Sequence, residues 1–162
     1  MGGGVVLDLS HEPNYIEWLA GPLQVVACGT AVIPALHVDT EGVADVILRT
    51  TDWAPVSVHL HAYDRNCRRE FQVVAAEGTV HADLITGELT LHGRSGKHQW
   101  SDDVTERDSL YRRQAKLFLR CIDEGGPPRC SGEDALQTLR TCLDALESAR
   151  CKGLEAGSTT GK

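Results

Sequence analysis

The chain has 162 residues, 41% of them apolar and 24% charged, with a formal net charge of −7. That composition fits one globular domain, long enough to bury roughly 68–70% of its unfolded surface. Acidic balance, without basic clusters interleaved with aromatics, argues against nucleic acid and anionic membranes as partners.

No apolar run nears the ~18 residues of a membrane span. The first residues lack the basic region and apolar core of a signal peptide. The six cysteines, Cys28, Cys67, Cys121, Cys130, Cys142 and Cys151, form no CxxC pair. They read as reduced thiols in a cytoplasmic protein rather than as a disulfide framework or zinc site.

The N-terminal stretch MGGGVVLDLSHEPNY leads three glycines into a short apolar segment that reads as a strand, ended by Asp8. Ser10 is a good N-cap and Pro13 is tolerated in a first turn. Ile16, Leu19 and Ala20 give an apolar stripe, and Gly21-Pro22 stops a helix predicted over residues 10–20.

From there to about Trp100 the period changes to two. Strands are predicted over 24–33, 44–49, 56–63, 71–75, 79–84 and 88–92, joined by short turns and hence mostly antiparallel. Ser57, His59, His61 and Tyr63 fall on one face of the third strand, which is either solvated or covered by a partner. His59 and His61 have a spacing that can ligate a metal, and His81 and Asp83 sit on another strand. Nothing around them supports ligation, so they read as polar sheet surface and no metal site is assigned.

The last third is helical. Tyr111, Ala115, Phe118 and Ile122 share a helix face. Gly125-Gly126-Pro127-Pro128 ends that helix, and Ser131 with Asp134 resembles a capping box for the next. Ala135, Leu139, Cys142, Leu146 and Ala149 form its predicted buried stripe, with Gly153 near the C-cap. The fold class is therefore α+β: a mostly antiparallel open sheet of about six strands with helices packed on one face. Residues 1–152 make the domain, and 153–162 are expected to be a disordered tail.

Four segments in order carry a family resemblance. GGGVVLDLSHEPNYIEWLAG resembles the opening of the C-terminal domain of the glucose–fructose oxidoreductase/inositol dehydrogenase (Gfo/Idh/MocA) family. VADVILRTTDWAPVSVHLHAY resembles its two long central strands, and REFQVVAAEGTVHADL its glycine–threonine hairpin. ERDSLYRRQAKLFLRCIDEGGPPRCSGEDALQTLRTCLDALESAR resembles its paired closing helices. The family's members are NAD(P)-dependent oxidoreductases of sugars, sugar acids and cyclitols, with an N-terminal Rossmann domain.

By that resemblance Asp8 and His11 match the family's catalytic aspartate and acid/base histidine, here at Asp-x-x-His spacing rather than the commoner Asp-x-x-x-His. Asn14 stands where many members have aspartate. A neutral His11 could take a substrate hydroxyl proton while Asp8 orients the ring. Without the family, the same residues read as helix capping beside a surface histidine. Tyr15 and Trp18 follow His11 at i+4 and i+7 and either wall a sugar pocket or pack. Arg68 and Arg69 could meet a carboxylate or phosphate of the substrate, or be solvated strand-edge residues.

The family's lysine lies in a Glu-Lys-Pro motif of the Rossmann half, and neither it nor a GxGxxG loop opening a helix occurs here. The expected function is thus the substrate-binding and oligomerisation domain of an NAD(P)-dependent sugar or cyclitol oxidoreductase. It would be inert without a Rossmann domain, hold no cofactor itself, and self-associate through the open sheet face. The alternative is a free-standing, non-catalytic dimeric binding module on the same fold.

Overall fold

The structure, a computed structural model, describes residues 3–102, 107–151 and 155–156. It divides into two compact units, Met1–Asp64 with Cys130–Lys162, and Arg65–Arg129. The class is α+β with antiparallel sheets, as the periodicity implies, but the strands are divided between two sheets.

The first unit begins with a correction. Residues Val5–Asp8 form a helical turn, α1, not a strand. Asp8 N–H donates to Gly4 O (2.9 Å) and Leu9 N–H to Val5 O (3.0 Å). Burial overrides the β-propensity of the two valines, since the turn places both in the core, 3% and 2% exposed. Gly4 is required at its start. Its φ is 87°, and a Cβ there would run into the Glu41 carboxylate.

The helix α2 spans His11–Ala20. Ser10 precedes it but makes no side-chain cap, because it is itself in helical conformation (φ −57°, ψ −18°). The preceding turn supplies the acceptor instead, with Glu12 N–H donating to Leu9 O at 2.9 Å.

Strands β1 (Leu23–Val32), β2 (Glu41–Thr50) and β3 (Pro55–His61) then pair antiparallel in the order β3-β2-β1. Cys28, Ala44, Val46, Leu48 and Leu60 point to the face covered by α1, α2 and the C-terminal helix α4 (Gly132–Cys151). Burial pushes the thiols of Cys28 and Cys142 up to about 11, which keeps both protonated and inert. All six cysteines are free.

The opposite sheet face carries Asp45, Ile47, Ser57, His59 and His61, all exposed. There His59 Nδ1 lies 2.7 Å from Asp45 Oδ1 across the β2–β3 pair. A two-residue strand, Glu155–Ala156, pairs parallel with β1 inside the segment expected to be disordered. The rest of that segment, including the expected cap at Gly153, lies outside the described residues.

The capping box of α4 forms as expected. Ser131 N–H donates to Asp134 Oδ2 (2.8 Å), and Asp134 N–H donates to Ser131 Oγ (3.1 Å). These hydrogen bonds, the Ser131 backbone donor foremost, hold the Asp134 carboxyl below its ordinary value of 3.8. A carboxyl depressed by folding stabilises above its ordinary value and loses that effect as pH falls through its folded value. Asp134→Ala should therefore lower the melting temperature at pH 6, and the gap from wild type should narrow at pH 3. A gap of the same size at both pH values would show that the carboxylate is not the cap.

The predicted stripe of α4 is rotated. Cys142 and Ala149 are buried, but Leu139 is 44% exposed and Ala135 is also exposed. Thr138, Thr141 and Ala145 take the buried positions. Two of these bear hydroxyls, and α2 supplies their partners.

The second unit contains an antiparallel meander in the order β4-β5-β6-β7: Glu70–Ala75, Gly78–Asp83, Glu88–Gly93 and Gly96–Ser101. Its register puts Phe71, Val80, Ala82, Leu89, Leu91 and Trp100 on one face. The strand β7 escapes sequence analysis because GKHQWS is exposed throughout and shows no apolar alternation. Pairing with β6 forms it. Helix α3 runs Arg107–Glu124 and ends at Gly125, in left-handed conformation (φ 69°). Tyr111, Phe118 and Ile122 of its expected stripe are each more than half exposed.

Candidate functional site

The candidate residues of the first unit cluster on α1 and α2, and packing divides α2 into distinct faces. Pro13 is buried, and Ile16 packs against the core. Asn14 and Glu17 turn to α4. Asn14 Nδ2 donates to Thr138 Oγ1 (2.9 Å), whose hydroxyl donates to Glu17 Oε2 (2.6 Å). Thr141 Oγ1 donates to the other oxygen, Glu17 Oε1, at 2.7 Å. Thr138 and Thr141 are 4% and 3% exposed, so one carboxylate satisfies two buried hydroxyls.

His11, Tyr15 and Trp18 lie along another line of α2. His11 and Trp18 are exposed, Trp18 to 74%, and Tyr15 is half-buried. The side chain of Trp18 is therefore presented outward rather than packed.

Asp8 and His11 are near in sequence but engage different partners. Asp8 Oδ1 accepts from Gly3 N–H at 3.3 Å. His11 Nε2 lies 3.1 Å from Oε1 of Glu12, a residue that sequence reasoning passed over. The Glu12 side chain is only 12% exposed, against 50% for His11. Its signal in the sequence was a carboxylate directly after the histidine, in the first turn of a helix.

Arg68 and Arg69 belong to the second unit, in the segment before β4. Backbone there is fixed by Leu84 N–H donating to Arg69 O at 2.8 Å. His81 and Asp83 are on β5 of that unit, where His81 Nε2 lies 3.4 Å from Glu70 Oε2. Among the described residues, no three His, Cys, Asp or Glu side chains converge as a metal site.

The glycine run does not fit a dinucleotide. Gly4 packs against the Glu41 carboxylate, and Glu41 Oε1 accepts the Val6 N–H at 3.3 Å. A diphosphate would need that N–H and would be repelled by the carboxylate already there. No helix among the described residues is long and apolar enough to cross a membrane.

The family described as the oxidoreductase family, C-terminal alpha/beta domain, matches residues 1–153. Among solved structures, levoglucosan dehydrogenase in complex with NADH is similar with a TM-score of 0.83 at 19% identity, covering 93% of this chain and 49% of that one. UDP-N-acetylglucosamine 3-dehydrogenase GnnA from Acidithiobacillus ferrooxidans gives 0.77 at 18% identity, covering 91% and 47%. The WlbA dehydrogenase from Bordetella pertussis, in complex with NADH and UDP-GlcNAcA, gives 0.74 at 21%, covering 93% and 46%. The chain spans about half the length of these structures. No curated protein matches its sequence significantly. The chain belongs to the Gfo/Idh/MocA oxidoreductase family, and what it carries of that family is the C-terminal alpha/beta domain.

Proposed function

We propose that residues 1–152 act as the substrate-binding and oligomerisation domain of a cytoplasmic NAD(P)-dependent sugar or cyclitol oxidoreductase. The observation that carries this reading is the half-length match. The family domain fills residues 1–153, whereas the similar dehydrogenases are about twice as long. The Glu41 carboxylate against Gly4 supports the same division of labour, with the dinucleotide held by a Rossmann domain outside these residues. This chain alone is then catalytically inert.

In this reading His11 accepts the proton of a substrate hydroxyl and Asp8 borders the site. Tyr15 and Trp18 form an aromatic wall, and Asn14 adjoins it while bonded to Thr138. Apolar ring faces suit the C–H surface of a sugar. Arg68 and Arg69, on the second unit, are suited by themselves to a carboxylate or phosphate. The open face of the β1–β3 sheet, with Asp45, Ile47, His59 and His61, is the self-association surface. The exposed stripe Tyr111, Phe118 and Ile122 on α3 is apolar surface of the kind a further domain covers.

Fluorescence titration of the chain with NADH tests the assignment. No saturable binding is expected at micromolar concentrations. Micromolar affinity would overturn the claim that the dinucleotide is held elsewhere.

A further inference from the structure

The carboxylate beside His11 is not the one its family would suggest. Asp8 is exposed and accepts from the Gly3 backbone. Glu12 sets its Oε1 3.1 Å from His11 Nε2 and is shielded from solvent by the fold. Less solvent around Glu12 means less screening of its charge than at an exposed carboxylate.

An ionised carboxylate only accepts hydrogen bonds. With Oε1 3.1 Å from Nε2, a lone pair on that nitrogen is disfavoured by the carboxylate's charge. A proton on Nε2 is attracted. A neutral ring in this arrangement therefore carries its proton on Nε2 and leaves the lone pair on Nδ1.

We propose that Glu12 is a positioning residue that fixes the tautomer of His11, making Nδ1 the nitrogen that takes the substrate's proton. The inference rests on the reading of His11 as the base. The proton moves from the substrate hydroxyl to Nδ1, giving an imidazolium with both nitrogens protonated. Glu12 then lies beside the new cation. Nδ1 is the nitrogen nearer the main chain, so the substrate hydroxyl must approach close to the helix backbone.

Ring-nitrogen NMR on the ¹⁵N-labelled chain tests this without a cofactor or turnover. Spectra are taken above the pH at which the imidazoles titrate, and His11 is assigned by the loss of its signals in His11→Asn. The wild type should show a protonated Nε2 and an unprotonated Nδ1. Glu12→Ala should shift the tautomer ratio toward Nδ1–H by about threefold, the scale of a partly exposed ionic contact.

Glu12→Gln keeps the side-chain shape, guards against misfolding of the alanine variant, and should move the ratio in the same direction. Asp8→Asn should leave it unchanged. A wild-type ring protonated mainly on Nδ1, a ratio unmoved in both Glu12 variants, or an equal shift in Asp8→Asn would each overturn the proposal. These readouts concern the ring alone, so they fail or succeed separately from the role of His11 in turnover.

Discussion

Alanine at position 11 is expected, on the proposed role of His11 as the base, to lower turnover of an enzyme assembled from this chain and a dinucleotide-binding domain by about 10²–10⁴-fold. That is the usual contribution of a positioned general base. His11 begins α2, half-exposed, on the line of the helix that also presents Tyr15 and Trp18. Removing the imidazole leaves the helix intact, since His11 belongs neither to the core nor to the contacts with α4. The loss should therefore appear in kcat with little change in melting temperature. Turnover equal to wild type would remove His11 from the mechanism and leave the aromatic wall as a binding surface only.

Glu17→Ala is expected to destabilise the fold by about 2–4 kcal/mol, since each buried hydroxyl left without its partner costs roughly 1–3 kcal/mol. Thr138 and Thr141 lose their carboxylate acceptor together, although Thr141 keeps a weaker contact to Gln137 O at 3.3 Å. Urea denaturation reads the change as a lower midpoint at constant slope. Glu17→Gln should cost less, because its one carbonyl oxygen still accepts from a threonine.

Replacing both sides with apolar residues, Glu17→Leu with Thr138→Val and Thr141→Val, should recover much of the loss. A midpoint for Glu17→Ala within error of wild type would mean that the α2–α4 contact rests on Ile16 and the small α4 residues rather than on this carboxylate. Because His11 and Glu17 share α2, the same clamp fixes how the helix presents its ring.

Much of this was legible from pattern. Period-two alternation located six strands, with ends shifted by a few residues; in β1–β3 alternate side chains turn to the core. Ser131 and Asp134 announced the start of α4, since a capping box needs only residues three apart. The order of four family-like segments pointed to the family, and the family match over residues 1–153 bears that out.

Other features depend on residues distant in sequence. Val5 and Val6 are strand formers locally, yet the core and Glu41 hold them in a helical turn. Leu139 fits a buried stripe better than Thr138 or Thr141 does. The threonines are buried because Glu17, more than a hundred residues earlier, accepts their hydroxyls. β7 exists only because β6 offers it a ladder.

The sequence by itself determined the class of fold and the place of His11 at the start of a helix, because propensity and spacing are local properties, and its resemblance to known members determined the family. Only the tertiary structure decided which carboxylate faces the ring. Asp8 and Glu12 are both near His11 in the chain, but packing buries one beside the imidazole and turns the other to the Gly3 backbone.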